Sequence, residues 1–301
     1  MSVQRVLAGA MPSLGSAEAA AALGALLRLR RDGGEPRTEL AGPLNDVLDA
    51  LGLLDVVDTL TPDEAAALLG LVESFLRQAV DLIANPDRIT WNHTDRAILT
   101  AQGVLSSLLV PIFQDFVIPT LGDRLGDRLQ NAGASFLDVG TGVGELAIAM
   151  CRAWPALRVL GIDPWEPALV IARENIVAAG MAARISLRRT AAEDLQQADE
   201  HDLAWVPTFF IPSSVLERVI DRVHGALRLG GYALFGLYVR RDDPVATALA
   251  DLRTVRQGGA LCAPQEMGAL LERAGFSDVN VLYNVAWASP VLFVVGRRGT
   301  S

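Results

Sequence analysis

Three glycines at alternate positions, Gly140, Gly142 and Gly144, sit in the run "FLDVGTGVGELAIAM", and an acid, Asp138, stands two residues before the first of them. A second acid, Asp163, follows 19 residues after Gly144. Glycines let a loop backbone come close to a ligand. A carboxylate about that far beyond such a loop accepts hydrogen bonds from ribose hydroxyls. Asp138 points away from phosphate, because a negative charge beside the loop favours a cation. The spacing is G-x-G-x-G, not the G-x-G-x-x-G of dinucleotide sites, whose helix end faces a pyrophosphate. A ligand with a ribose, a cationic end and no pyrophosphate is S-adenosylmethionine, whose ammonium and sulfonium groups suit Asp138.

These residues need a scaffold that brings two strand ends together. From about Ser135 the chain alternates β-like runs, "SFLDV", "RVLGI", "ISLRR", "DLAWV" and "YALFGL", with helical stretches such as Pro167 to Ala179 and Ser213 to Leu227. That alternation predicts a parallel sheet wound with helices. "DVNVLY" and "SPVLFVV" are joined by too few residues for a helical crossover and are expected to pair antiparallel. The expected fold is α/β, a Rossmann-like seven-stranded sheet, parallel with one antiparallel strand and flanked by helices, after an all-α amino-terminal region. Residues 1–130 form that helical region and 131–301 the catalytic domain. "LNDVLDALGLLDVVDTL" and "TPDEAAALLGLVESFLRQAVDLI" carry apolar residues at helical spacing. Thr61 with Glu64 three residues on reads as a capping box, and Pro62 suits the first helical position. "DGGEPR" and "ANPDR" read as breaks between helices.

Composition removes several chemistries. All 26 basic residues are arginine, which excludes lysine Schiff bases, pyridoxal phosphate attachment and a P-loop lysine. Cys151 and Cys262 are the only cysteines, too few for a disulfide framework or a radical cluster. His93, His201 and His224 lack the pairing common in zinc sites, so no metal is expected. A formal charge of −9 disfavours a nucleic-acid partner. The opening stretch places its arginines after the apolar part and is broken by Glu18, unlike a secretory signal. The uncharged run from Ala97 to Gln114 carries Gln102, Ser106, Ser107 and Pro111, which favours a buried helix over a membrane span. A cytoplasmic protein with no membrane partner is expected.

"FLDVGTGVGELAI" followed by "RVLGIDPWEPAL" resembles the first two motifs of class I S-adenosylmethionine-dependent methyltransferases. "DLAWVPTFFIP" is similar to their fourth-strand motif and "ALRLGGYALF" to their helix-turn-strand element, with Leu229 where proline is common. The resemblance implies that Asp138, Gly140, Thr141, Gly142 and Gly144 surround the methionine part, that Asp163 holds the ribose, and that Pro164 and Trp165 lie against the adenine. Ala191 stands where the family often has an acid for the adenine amine, leaving that contact to Glu193, Asp194 or the backbone of Ala192 and Glu193. It implies S-adenosylmethionine as cofactor and S-adenosylhomocysteine as product. The helical region would then supply a lid, with Gln102 meeting the cofactor, and is open to homodimerisation.

Methyl transfer from a sulfonium is an in-line displacement, for which orientation alone supplies roughly 7–11 kcal/mol in favourable cases. A general base is optional and adds on the order of 10²–10⁴-fold where present. His93, in "ITWNHTDRAILTAQG", is the candidate base, with Trp91 and Asp95 beside it. His201 and His224, at the amino end of the fourth strand and late in the following helix, read as surface or capping residues. Trp205, with Val206 and Pro207, ends the fourth strand facing the cofactor. Together with Phe209, Phe210 and Tyr238 it lines an apolar acceptor pocket or packs as core. Arg253 and Arg256 either bind an acidic substrate group or line an exposed helix face. The expected substrate is a small, aromatic or heteroaromatic metabolite of secondary metabolism, methylated on O, N or C. An NAD(P)-dependent oxidoreductase and a non-catalytic S-adenosylmethionine-binding module are the alternatives.

Overall fold

The computed structural model describes residues 3–240, 242–283 and 290–299, and the chain divides into two compact units. The first comprises residues up to 86 with Thr100–Leu105; the second comprises Asp87–Leu99 and everything from Ser106 onward.

The first unit is helical: α1 (Val3–Asp32), α2 (Thr38–Ala50), α3 (Leu54–Thr59) and α4 (Pro62–Ala84). The apolar stretch from Leu44 to Leu60, read as helical from its spacing, is divided between α2 and α3, because Gly52 takes φ +67° after the end of α2. The capping box is present. Glu64 donates its backbone N–H to the Thr61 hydroxyl at 3.3 Å, and its carboxylate accepts the Thr61 N–H at 2.8 Å. Leu27, Leu48 and Ala65 are fully buried and Leu26, Val57 and Leu69 nearly so, forming the unit's core. α5 (Arg96–Ser107) adds Val104, whose Cγ1 lies 2.3 Å from where a Cβ on Gly70 would stand, so only glycine admits this helix approach.

The second unit is the expected sheet. Its strands are β1 (Ser135–Val139), β2 (Arg158–Asp163), β3 (Ile185–Arg189), β4 (His201–Pro207), β5 (Leu227–Tyr238), β6 (Phe276–Leu282) and β7 (Val291–Arg298), in the order β3-β2-β1-β4-β5-β7-β6. β7 alone among these runs antiparallel to its neighbours, β5 and β6. Ser289, part of the last expected strand, lies outside the described residues. β5 begins earlier than the turn at Gly230 and Gly231 suggests. Leu227 already pairs with His201, and a bulge follows before Tyr232 pairs with Leu203.

Helices cover both faces, so adjacent strand residues such as Phe136 and Leu137 are both fully buried, and the strands read as continuous apolar runs. On one face Phe136, Trp205, Leu234 and Phe293 pack with Phe113, Val117 and Ile118. Phe113 and Val117 come from a π-helical turn (Phe113–Val117) and Ile118 from α7 (Ile118–Leu121), which with α6 (Leu109–Ile112) and α8 (Asp123–Gln130) precede β1. Segments 87–99 and 106–130 therefore pack with the sheet, whereas the sequence reading grouped them with the helical region. α9 (Glu145–Ala153) and α10 (Glu166–Ala178) follow β1 and β2. On the other face α11 (Ser213–Ala226) and α13 (Pro264–Arg273) bury Val219, Val223, Met267 and Leu271 against Leu137, Val206 and Phe235. α12 (Pro244–Arg256) completes the unit's helices.

The amino ends of the strands are tied by Asp202, which is nearly fully buried. It accepts hydrogen bonds from Arg128 at 2.6 Å, Arg228 at 2.7 Å and the Ser135 N–H at 3.0 Å. His201 is the first residue of β4, not a surface residue: it is 2% exposed and its Nδ1 lies 2.8 Å from the Ser135 hydroxyl. Burial pushes its pKa down to about 4, so the ring stays neutral. His224 is half-buried against the edge of Phe276.

Candidate active site

Strand order reverses between β1 and β4, and a ligand crevice in such a sheet opens beyond the carboxyl ends at that point. Here the chain leaves β1 into the glycine loop. Gly140, Gly142 and Gly144 have φ of +68°, +56° and +81°, conformations that side chains rarely adopt. The loop is pinned to β2 by the Gly140 and Thr141 N–H groups, which donate to the Ile162 carbonyl at 2.8 and 3.0 Å. Asn175 on α10 donates to the Val143 carbonyl at 3.0 Å.

Asp138 is 1% exposed and accepts a hydrogen bond from the Thr141 hydroxyl at 2.7 Å. Burial raises its pKa to about 7; the Thr141 hydrogen bond opposes the rise, and the neighbouring Asp163 charge adds to it. None of these influences is a cationic side chain, so a cation arriving here would be welcome. Asp163 is 8% exposed, and its two oxygens accept backbone N–H groups from Gly142 at 2.9 Å and Trp165 at 2.7 Å. Burial pushes its pKa up and those two bonds pull it down. Each oxygen keeps a second lone pair with which to accept a hydroxyl. Gly161, opposite Asp138 in β2, makes the arrangement possible: a Cβ there would stand 2.7 Å from Thr141 Oγ1.

The other expected cofactor residues divide. Trp165 is half-buried at the start of α10, and Pro164 is exposed. Ala192, Glu193 and Asp194 form a single 3₁₀ turn, with Ala192 buried, Glu193 half-buried and Asp194 exposed. The Thr190 N–H donates to the Asp163 carbonyl at 3.2 Å and keeps this segment beside β2. Gln102 belongs to the helical unit, where its amide oxygen lies 3.3 Å from both the Ser74 hydroxyl and the Gln78 amide nitrogen.

Residues 136–231 match a family described as "Methyltransferase domain". These residues are a class I methyltransferase domain. Over 194 residues, 62% of this chain and 54% of the relative, it is 25% identical to the S-adenosyl-L-methionine-dependent methyl transferase PigF of Serratia sp.. It is 43% identical over 133 residues, 43% of this chain, to a release factor glutamine methyltransferase of Gloeobacter violaceus, covering 45% of that protein. The chain thus spans about half the length of these curated relatives. The crystal structure of human N-acetylserotonin methyltransferase in complex with SAM shares the fold at a TM-score of 0.64 and 15% identity, with 100% of this chain and 99% of that one covered. The methyltransferase domain's cofactor, S-adenosylmethionine, fits the residues present, a glycine cradle and two buried acids at neighbouring strand ends.

Beyond the ends of β4 and β5 the second unit carries a continuous set of rings. The His93 ring stands edge-on to Trp91 at 4.5 Å, and Trp91 lies 5.2 Å from Phe210. Phe210 meets Phe209 at 5.0 Å, which stacks on Tyr238 at 4.5 Å. His93 is 5% exposed, and its carbonyl accepts the Trp165 indole N–H at 2.7 Å. The Tyr238 hydroxyl donates to Gln257 at 3.0 Å; burial pushes its pKa up to about 12, so the phenol stays neutral. Gln257 is 3% exposed, and the sequence reading missed it, although it directly follows the candidate Arg256. The glycines after it allow close approach: a Cβ on Gly259 would stand 2.4 Å from Phe209 backbone.

Trp205 differs from its assignment. Its ring is 3% exposed, lies 5.8 Å from both Phe113 and Phe293, and fills the space left by Gly236, so it is core and not pocket wall. Only its backbone, paired with Asp138, borders the site. Of the two candidate arginines, Arg253 has its pKa pushed down by burial, with nearby Tyr238 opposing the fall, and Arg256 is half-buried in the last turn of α12.

Proposed function

We propose that this chain transfers the methyl group of S-adenosylmethionine to a small aromatic or heteroaromatic acceptor. The observation that carries the reading is Asp138, a buried acid beside a glycine loop, hydrogen-bonded to Thr141 and, among the described residues, without a cationic side chain among the groups that set its pKa. The cofactor supplies an electrophilic methyl group on a sulfonium. Asp138, held by Thr141, receives the ammonium, and Asp163 receives the ribose hydroxyls. Trp91, Phe209, Phe210 and Tyr238 face the acceptor with ring surfaces, and His93 takes its proton where the nucleophile needs one. Burying the acceptor among rings removes water and leaves orientation to supply most of the acceleration.

The acceptor class is supported by the ring set, by the net charge of −9, which opposes nucleic acid, and by the whole-length likeness to an enzyme named for N-acetylserotonin. The relative named for release factor glutamine favours a protein acceptor and sets the contrast for the test. Incubation with radiolabelled cofactor and parallel panels of small aromatics, protein and RNA is expected to label the small aromatics. Label confined to protein or RNA would refute the acceptor class. Absence of S-adenosylhomocysteine binding by calorimetry would refute the cofactor site.

A further inference from the structure

Between α4 and α5 the chain runs without helix from Asn85 to Asp95, and this strap is weakly buried: Ile89 is 64% exposed and Asn92, Thr94 and Asp95 are exposed. What holds it against the methyltransferase domain is local. Trp91 and Leu99 pack in one apolar cluster with Val143 of the glycine loop and with Trp165. Arg96 pairs with Glu174 at 2.6 Å, but both side chains are more than half exposed and such a pair contributes little. A partly buried polar tether is the hydrogen bond that the Trp165 indole N–H donates to the His93 carbonyl.

Trp165 is also joined to the cofactor side. Its backbone N–H donates to one oxygen of Asp163, whose other oxygen accepts from Gly142. One residue therefore links the acid read as the ribose ligand to the backbone that carries Trp91 and His93. We propose that Trp165 is a positioning residue that couples filling of the cofactor site to ordering of the strap 87–99, through its indole hydrogen bond to His93. A ribose held by Asp163 fixes that carboxylate, which fixes the start of α10 and the indole. The indole then holds the strap that presents Trp91 to Phe210. Acceptor binding is thereby favoured after cofactor binding. This rests on the reading of Asp163 as the ribose ligand.

The test is amide hydrogen exchange read by mass spectrometry on the full chain, with and without saturating S-adenosylhomocysteine, for wild type and Trp165→Phe. Phenylalanine keeps a ring in the cluster and removes the donor; Trp165→Tyr is the second variant if the first does not fold. In wild type, S-adenosylhomocysteine is expected to slow exchange at least about fivefold over both 140–145 and 87–99. In the variant, with S-adenosylhomocysteine raised until 140–145 is protected as in wild type, the strap loses at least two thirds of the slowing. Equal strap protection in wild type and variant would overturn the coupling while leaving the cofactor site intact. Absence of protection at 140–145 in the wild type would overturn the cofactor reading and the coupling with it.

Discussion

Replacing Asp138 by asparagine separates what this residue does for the ligand from what it does to the fold. The side chain is fully enclosed, and its pKa of about 7 stands well above the ordinary 3.8. Between those values the folded protein holds a proton that the unfolded chain has released, so stability falls as pH rises from about 4 through about 7. At about 1.4 kcal/mol per pKa unit, the penalty at pH 8 reaches roughly 4 kcal/mol. Asparagine retains an oxygen for the Thr141 hydroxyl and carries no charge to desolvate. The variant without ligand is expected to be about 1–3 kcal/mol more stable than wild type at pH 8, a rise of about 2–4 °C in melting temperature per kcal/mol for a unit of this size. At pH 4 the difference should vanish. Ligand binding should move the other way. Losing a hydrogen bond to a charged group weakens S-adenosylhomocysteine by about 1.5–3 kcal/mol, or roughly 10- to 150-fold. Wild-type affinity, measured by calorimetry, should tighten about tenfold per pH unit from about 5 to 7 and level off above, because the ammonium displaces the Asp138 proton. The variant's affinity should be flat across that range. A flat wild-type profile, or a variant less stable than wild type at pH 8, would refute this account of Asp138.

Three further outcomes follow from the geometry. Gly236→Ala places a Cβ 2.2 Å from the Trp205 ring and should destabilise by about 1–3 kcal/mol in urea unfolding, with Trp205→Leu restoring part of the loss; no loss would mean that Trp205 is not packed as core. Asp202→Ala leaves Arg128, Arg228 and the Ser135 N–H without their shared acceptor and should destabilise by about 3 kcal/mol while S-adenosylhomocysteine affinity per folded molecule is unchanged; a specific affinity loss would contradict its placement at the amino ends of the strands. His93→Ala should lower kcat by about 10²–10⁴-fold with cofactor affinity little changed; a kcat within about threefold of wild type removes the imidazole from the chemistry.

Much of the sheet unit was legible because its signals are local. The central strands are largely apolar runs, and the glycine loop with Asp138 and Asp163 sits within one strand-helix-strand passage, where spacing translates directly into geometry. The Thr61 box was legible for the same reason. What escaped depends on partners distant in sequence. Gly161 looks like an ordinary strand residue until register sets it opposite Asp138 and Thr141 needs its space. Gln257 reads as a helix-end amide until Tyr238, 19 positions earlier, donates to it. Trp205 was placed at the correct strand end, but whether its ring faces ligand or core is decided by Gly236, Phe113 and Phe293, none of them adjacent in the chain. His201 sits at an element boundary, where a shift of one residue converts a loop histidine into the first buried residue of β4.

The same distinction explains why the cofactor half of the site was readable and the acceptor half was not. The proposed cofactor site uses backbone conformation and two acids at strand ends, and both follow from the order of elements in a doubly wound sheet. The proposed acceptor site is built from ring faces drawn from the strap, the 3₁₀ turn after β4 and the end of β5, segments more than a hundred residues apart at their extremes. An aromatic side chain is equally at home in a core or a pocket wall, so its type alone carries no direction. The chain Trp91–Phe210–Phe209–Tyr238 takes its meaning from adjacency: Phe209 and Tyr238 stack, Gln257 anchors the phenol, and Gly259 lets the backbone pass behind Phe209. Specificity for an acceptor would therefore change with substitutions at Gly259 or Gln257 that touch no ring, which is where variation among enzymes of this architecture would be least visible in a motif and most consequential in the pocket.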